Sequence, residues 1–222
     1  MGVDGPSDSL AGLTLSEFSE RLASAEPVPG GGSASAIAGS FAASLLAMVA
    51  RLSVDRPKYA IYQMTHARAL ATGERGRAVL LELADADARA YAEFAAARKL
   101  PKETADEQSA REAATRVAAR AASEVPLTVV EECARLLDDI TAMAGRSNLN
   151  AASDLEVAAR LSGAAARGAA ANVLINLPMV GDEGYAASTT ETLQGMLEQI
   201  ERSAATVAEI VGGGALREPE PE

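Results

Sequence analysis

Between Pro27 and Leu52 the chain reads PVPGGGSASAIAGSFAASLLAMVARL. Two prolines and three glycines give way to a run of small residues that carries no charge before Arg51. Glycine serves where backbone must turn sharply or let another group come close, and alanine, leucine and methionine are strong helix formers. The segment therefore predicts a tight turn that opens a helix from about Ser33 to Ser53. A helix apolar on every side belongs inside a protein core or a membrane. This one is short and dilute in Leu and Ile for a bilayer span, so a buried central helix is expected. Gly39 and Ala43, four apart, suit close contact with neighbouring helices.

A core around such a helix is affordable. Hydrophobic residues make up 48% of 222, while aromatics supply only 3% and no Trp is present. Alanine carries much of the apolar content. The expected fold is therefore all-α, a single-domain bundle of about seven long helices. Capping boxes at Thr14/Glu17 and Thr104/Glu107 mark two helix starts, the first with a Leu13–Phe18 staple. The third helix is expected over Lys58 to Arg98, loosened at Gly73 and Gly76 and ended by Pro101. Val125-Pro126 predicts a break or kink, with a fifth helix following to about Ala144. The GRSNLNAASD loop, a sixth helix, a turn at Gly181 to Gly184 and a seventh helix to Val211 complete the chain. Residues 1–12 and 214–222 are expected as disordered tails around a domain over 13–213. No secretion signal is visible, so a cytoplasmic protein is expected.

The formal net charge of -11 argues against nucleic-acid binding. One cysteine, Cys133, allows no internal disulfide, and one His with one Cys allows no His/Cys zinc set. A carboxylate-bound magnesium stays open. Cys133 and His66 read as core residues. The three glycines lack the Lys-Ser/Thr ending of a phosphate-binding loop and follow no strand.

Polar residues on apolar stripes are the informative signals. Leu80, Leu83, Asp87, Tyr91 and Phe94 share a helix face, so Asp87 interrupts a core stripe. A buried carboxylate must be paired or shift its pKa; a salt bridge or a wet dimer seam would serve as well as chemistry. Asp154, Ala158, Leu161 and Ala165 share another face that continues to Asn172 and Asn176. Ser153 and Glu156 suggest a capping box there, with Asp154 in a first turn that favours negative charge. On a continuous helix Asp154 and Asn172 lie roughly 27 Å apart. They line a long groove or belong to different sites across a dimer. Among 20 basic residues the lysines are Lys58, Lys99 and Lys102 alone. Retention of a compact ammonium in an arginine-rich chain suggests a use for it, although chance retention on the surface is as good a reading.

Taken in order, PVPGGGSASAIAG, PKY, DARAYAEFAAARKLPK, VPL, NLNAASD and AAANVLINL resemble the cyclodeaminase/cyclohydrolase family over about Thr14 to Val211. That family comprises the cyclodeaminase half of formiminotransferase-cyclodeaminase and stand-alone bacterial methenyltetrahydrofolate cyclohydrolases. The resemblance implies an all-helical homodimer acting on a one-carbon tetrahydrofolate, which is substrate rather than cofactor, with no metal, nucleic-acid or membrane partner. It implies catalytic roles for Asp87 and Asp154. It implies substrate contacts from Gly30, Gly31, Gly32, Ser33, Lys58, Tyr59, Lys102, Asn148, Asn150, Ser153, Asn172 and Asn176. Arg51 with Leu52-Ser53, and GRS before Asn148, depart from the family pattern.

The implied chemistry is proton transfer beside an amidine-like cation. A cyclohydrolase adds water to the methenyl bridge and protonates the departing nitrogen. A cyclodeaminase lets N10 attack a formimino carbon while ammonia leaves. A partly buried carboxylate suits both, and lysines suit the anionic glutamate tail. With no formiminotransferase portion in these 222 residues, cyclohydrolase ranks first and cyclodeaminase second. A non-catalytic folate-binding dimer is the reading from another class.

Overall fold

The structure is a computed structural model that describes residues 9–220. It is all-α. Six α-helices run in the order α1 (Leu15–Leu22), α2 (Gly31–Ser53), α3 (Gln63–Arg98), α4 (Ala105–Met143), α5 (Ala152–Val180) and α6 (Glu183–Gly213), with short 3-10 turns at Leu10–Gly12, Pro57–Tyr62 and Leu149–Ala151. Both expected capping boxes form: the Thr14 and Thr104 hydroxyls accept from the Glu17 and Glu107 N–H groups, and each glutamate accepts in return. No box forms at Ser153, because α5 starts from an Ala151 N-cap.

Six helices stand where seven were expected, because Pro126 does not break the chain. It lies inside α4. Proline lacks an N–H and so frees the carbonyl four residues earlier, here that of Ala122. The Asn176 side chain of α5 donates to this carbonyl at 2.8 Å. An outside donor thus replaces the missing helix bond, and the helix continues.

The helix α2 packs against α3, α4 and α5. Ala36, Ala42, Ala43, Leu46, Val49 and Ala50 are fully buried. It is the one described helix long and apolar enough to cross a membrane, and most of it lies inside the bundle. Gly73 and Gly76 do not loosen α3. A Cβ at Gly73 would stand 2.8 Å from the Ala43 carbonyl oxygen, and one at Gly76 would meet Leu136 at 3.1 Å. These glycines let α3 lie close against α2 and α4.

Both ends of the described chain touch the bundle. Residues 1–8 and 221–222 lie outside the described residues. Leu10 N–H and Ser9 Oγ both donate to the Asp85 carboxylate of α3 at 2.6 Å. After the left-handed Gly214, Arg217 N–H donates to the Gly145 carbonyl and the Arg217 carbonyl accepts from Tyr62 Oη. Glu220 pairs with Arg68. Arg217 and Glu220 thus hold residues 217–220 against the bundle, although the composition there suggested a loose tail.

Candidate functional site

The helix α2 runs antiparallel to α3 and α5, so its N-terminus meets the late part of both. A cleft of about 370 Å³ opens there, lined by the glycine turn, Asp87, Tyr91, Phe94 and Arg98 of α3, and Asn172, Ile175, Asn176 and Met179 of α5. Asp87 accepts from Ser33 Oγ at 2.8 Å, and the same hydroxyl lies 3.1 Å from the Ala84 carbonyl. The Ser33 backbone N–H also faces the carboxylate. Asp87 therefore serves the unpartnered first turn of α2, whose Gly30 N-cap has no side chain to offer.

The glycines are not equivalent. A Cβ on Gly32 would overlap the Asp87 carboxylate, whereas one on Gly31 would stand 3.6 Å from Asn172 Nδ2 and one on Gly30 would lie 3.4 Å from the Pro27 carbonyl. Gly32 is the position at which the turn needs glycine, because the carboxylate occupies the space of a side chain. Burial pushes the Asp87 carboxyl above the usual carboxylate range, and the hydrogen bonds from Ser33 only partly oppose it. No cation pairs with Asp87 among the described salt bridges. A carboxyl held partly dry beside an open cleft can exchange a proton or face a cationic ligand.

The other candidates divide between the two ends of the bundle. Asn172 and Asn176 stand in the cleft, although each spends its amide N–H on a helix carbonyl, Gly168 at 2.9 Å and Ala122 at 2.8 Å. Lys102 is exposed in an adjoining depression with Arg98, Arg111 and Arg116, and Arg98 and Met179 border both spaces. Lys58, Tyr59, Asn148, Asn150, Ser153 and Asp154 lie at the opposite end. Tyr59 is buried, and its Oη accepts from Leu149 N–H at 3.2 Å. Asn148 is buried too. Its N–H donates to Ser53 Oγ, its amide donates to the Leu52 carbonyl, and its Oδ1 accepts from Asn150 N–H. Within one protomer, then, Asn148 and Tyr59 hold the fold together rather than face the cleft. Lys58 stays exposed, its ammonium 5.4 Å from the Tyr59 ring centre.

His66 is buried, with Nε2 2.8 Å from the Arg146 carbonyl oxygen, so that nitrogen carries the proton and donates. Burial pushes the Cys133 thiol up to about 12, which makes it an inert core residue. Arg98, Ile175 and Met179 were not singled out from the sequence. The signal for Arg98 was present: the stripe Asp87, Tyr91, Phe94 reaches it in one further step of four. Its guanidinium lies 5.8 Å from the Phe94 ring centre.

Residues 14–195 match the family described as Formiminotransferase-cyclodeaminase. The chain belongs to this family. It is 34% identical over 186 residues to the methenyltetrahydrofolate cyclohydrolase of Methylorubrum extorquens, covering 84% of this chain and 89% of that protein. It is also 34% identical over 203 residues to the formimidoyltransferase-cyclodeaminase of Rattus norvegicus, covering 91% of this chain but 38% of that longer protein. Its fold matches the crystal structure of formiminotetrahydrofolate cyclodeaminase from Thermotoga maritima with a TM-score of 0.82 at 29% identity, over 90% of this chain and 96% of that one. The chain is thus an enzyme of a folate cyclodeaminase/cyclohydrolase family, and the all-α architecture is that of the family.

Proposed function

We propose that this protein is a methenyltetrahydrofolate cyclohydrolase, converting 5,10-methenyltetrahydrofolate and water to 10-formyltetrahydrofolate as a cytoplasmic homodimer without cofactor or metal. The observation that carries the chemistry is Asp87: a half-buried carboxyl with raised proton affinity, unpaired with any cation, at the floor of a cleft with aromatic and amide walls. The choice of cyclohydrolase rests on the Methylorubrum relative, which this chain matches along nearly its whole length.

In this reading the pteridine lies in the cleft with its amidinium beside Asp87. Ionised Asp87 stabilises the cation and takes a proton from water as the oxygen adds to the bridge carbon. The bond from that carbon to N5 then breaks, and N10 keeps the formyl group. Asp87 returns its proton to N5, while the hydroxyl proton leaves to solvent as the carbonyl forms. Gly32 keeps the carboxylate against the turn, Ser33 orients it, and the Asn172 and Asn176 side-chain oxygens are available to ligand N–H groups. Arg98, Lys102 and Arg111 line the way out of the cleft, where an anionic glutamate tail would run.

The Thermotoga structure favours a second reading, cyclodeamination of formiminotetrahydrofolate, in which N10 attacks and ammonia leaves. Absorbance of the methenyl chromophore separates the two. Loss of the signal from methenyl substrate, faster than without enzyme, is expected. Growth of the signal from formimino substrate would transfer the assignment to cyclodeaminase, and no change with either would contradict both in favour of a binding dimer.

A further inference from the structure

Asn172 and Asn176 stand one turn apart on α5, partly buried and facing the Asp87 cleft. A side-chain amide can present either its oxygen or its N–H groups to a ligand, and here two carbonyls decide which. The Gly168 carbonyl takes the Asn172 N–H at 2.9 Å, and the Ala122 carbonyl takes the Asn176 N–H at 2.8 Å. A carbonyl only accepts, so neither amide can flip without losing its bond. Neither amide oxygen accepts a hydrogen bond among the described residues. Ser162 Oγ is the one fully buried side-chain polar atom there without a partner. Both amide oxygens therefore reach solvent, and the open space beside these residues is the cleft. The α5 wall is a row of acceptors.

The two amides are held by different means. Asn172 bonds the carbonyl four residues back in its own helix, which is within reach of any helical asparagine. Asn176 reaches across to α4, to a carbonyl that lacks a backbone donor because residue 126 is proline. With any other residue at 126, a helix N–H would compete for the Ala122 carbonyl. Pro126 is buried and does not line the cleft, yet it fixes the polarity of a group inside it.

We infer that Pro126 is a positioning residue that holds the Asn176 oxygen toward the cleft, so that the α5 wall reads the N–H edge of the pteridine, with N3–H at Asn172 and the 2-amino group at Asn176. Along that edge the pyrimidine ring carries the 4-oxo acceptor, then N3–H, then the 2-amino donor. The protein offers the complement in the same order. Gly31 stands beside Asn172, where an added Cβ would lie 3.6 Å from Nδ2. The first turn of α2 carries backbone N–H groups with no side-chain cap, so the 4-oxo group turns to the glycines and the amino group to Asn176. A ring laid the other way sets the 4-oxo oxygen against an amide oxygen, acceptor against acceptor. Asp87, on α3, is left for the one-carbon bridge. This rests on the proposed folate chemistry for the identity of the ligand, but not for the orientation of the amides.

Two cycles test orientation and recognition apart. The first reads Tm. Asn176→Ala leaves the Ala122 carbonyl without its donor and should lower Tm by about 2–4 °C. Adding Pro126→Ala supplies a helix N–H and should recover most of that loss, whereas the same change in wild type should move Tm less. Equal shifts in the two backgrounds overturn the link between Pro126 and Asn176, whatever the protein binds. The second cycle reads affinity by calorimetry, with 5-formyltetrahydrofolate as a probe that is not turned over and its analogue carrying methyl in place of the 2-amino group. Wild type should bind the analogue roughly threefold to tenfold more weakly. Asn176→Ala should weaken the parent probe by a similar factor and leave the analogue unchanged, and Pro126→Ala should weaken the parent roughly threefold and spare the analogue. Equal losses on both probes overturn the reading of the amino edge, and so does full affinity of Asn176→Ala for the parent. A wild type that binds neither probe overturns the proposed function instead, and leaves the Tm cycle to decide the orientation.

Discussion

The two ends of the bundle carry similar polar residues and use them differently. At the Asn148 end, Ser53, Tyr59, His66, Arg146 and Asn148 are buried and joined by hydrogen bonds to one another or to backbone. At the glycine-turn end, Asp87 is only partly satisfied, its proton affinity is raised by burial, and it faces open space. One end spends its polar atoms on folding. The other holds a carboxylate where folding alone would prefer an apolar residue. Within a protomer, function is expected where polar atoms are left over, not wherever they are buried.

The largest test of that contrast is Asp87→Asn. The amide keeps the shape and can still accept from Ser33, so the first turn of α2 stays capped. It cannot carry the proton, and kcat should fall about a hundredfold or more, the scale of general acid–base catalysis. Stability should hold or rise. A carboxyl whose pKa is raised in the folded state contributes fully below its ordinary pKa and loses that contribution as pH climbs through the folded value, so at neutral pH the charge is a cost that Asn removes. Lower Tm with normal turnover would make Asp87 a structural cap.

Gly32→Ala comes next. The new methyl group displaces the carboxylate, and misplacement on that scale should cost roughly tenfold or more in kcat, while Gly31→Ala next to it should fold and melt normally. Equal effects at both glycines would show that turn flexibility, rather than the seat of Asp87, matters.

At the opposite end, Asn148→Ala removes the amide donor to the Leu52 carbonyl and the acceptor for Asn150 N–H, while the backbone bond to Ser53 stays. It should cost about 2 kcal/mol, a fall in Tm of about 5 °C, with near-normal kcat in the folded fraction. A loss of kcat without a loss of Tm would erase the contrast between the ends. Smallest is Lys102→Ala. An exposed charge contact is worth about 0.2–1 kcal/mol, so KM should rise by about two- to fivefold at constant kcat. The effect should grow with the number of glutamates on the folate and shrink in high salt.

Helices were legible in this sequence because alanine content, capping boxes and terminal glycines act locally. The continuity of α4 through Pro126 was not, since the donor that rescues it, Asn176, sits fifty residues away on another helix. Asp87 was legible as a polar break in an apolar stripe, and Gly32 as part of a glycine run, but not that one fills the other's missing side chain. Asn148 and Asp87 look alike in sequence, as polar residues in a recognisable motif. Only the partners gathered around each in three dimensions separate them.

The pH dependence of turnover tests the role of Asp87 most directly. If ionised Asp87 takes the proton, kcat/KM of the wild type falls on acidification along a single-proton limb whose midpoint lies above the ordinary carboxylate value of 3.8, displaced by burial. The residual rate of Asp87→Asn should lack that limb. An Asn variant that keeps the wild-type limb would place the essential proton on another group and contradict the account.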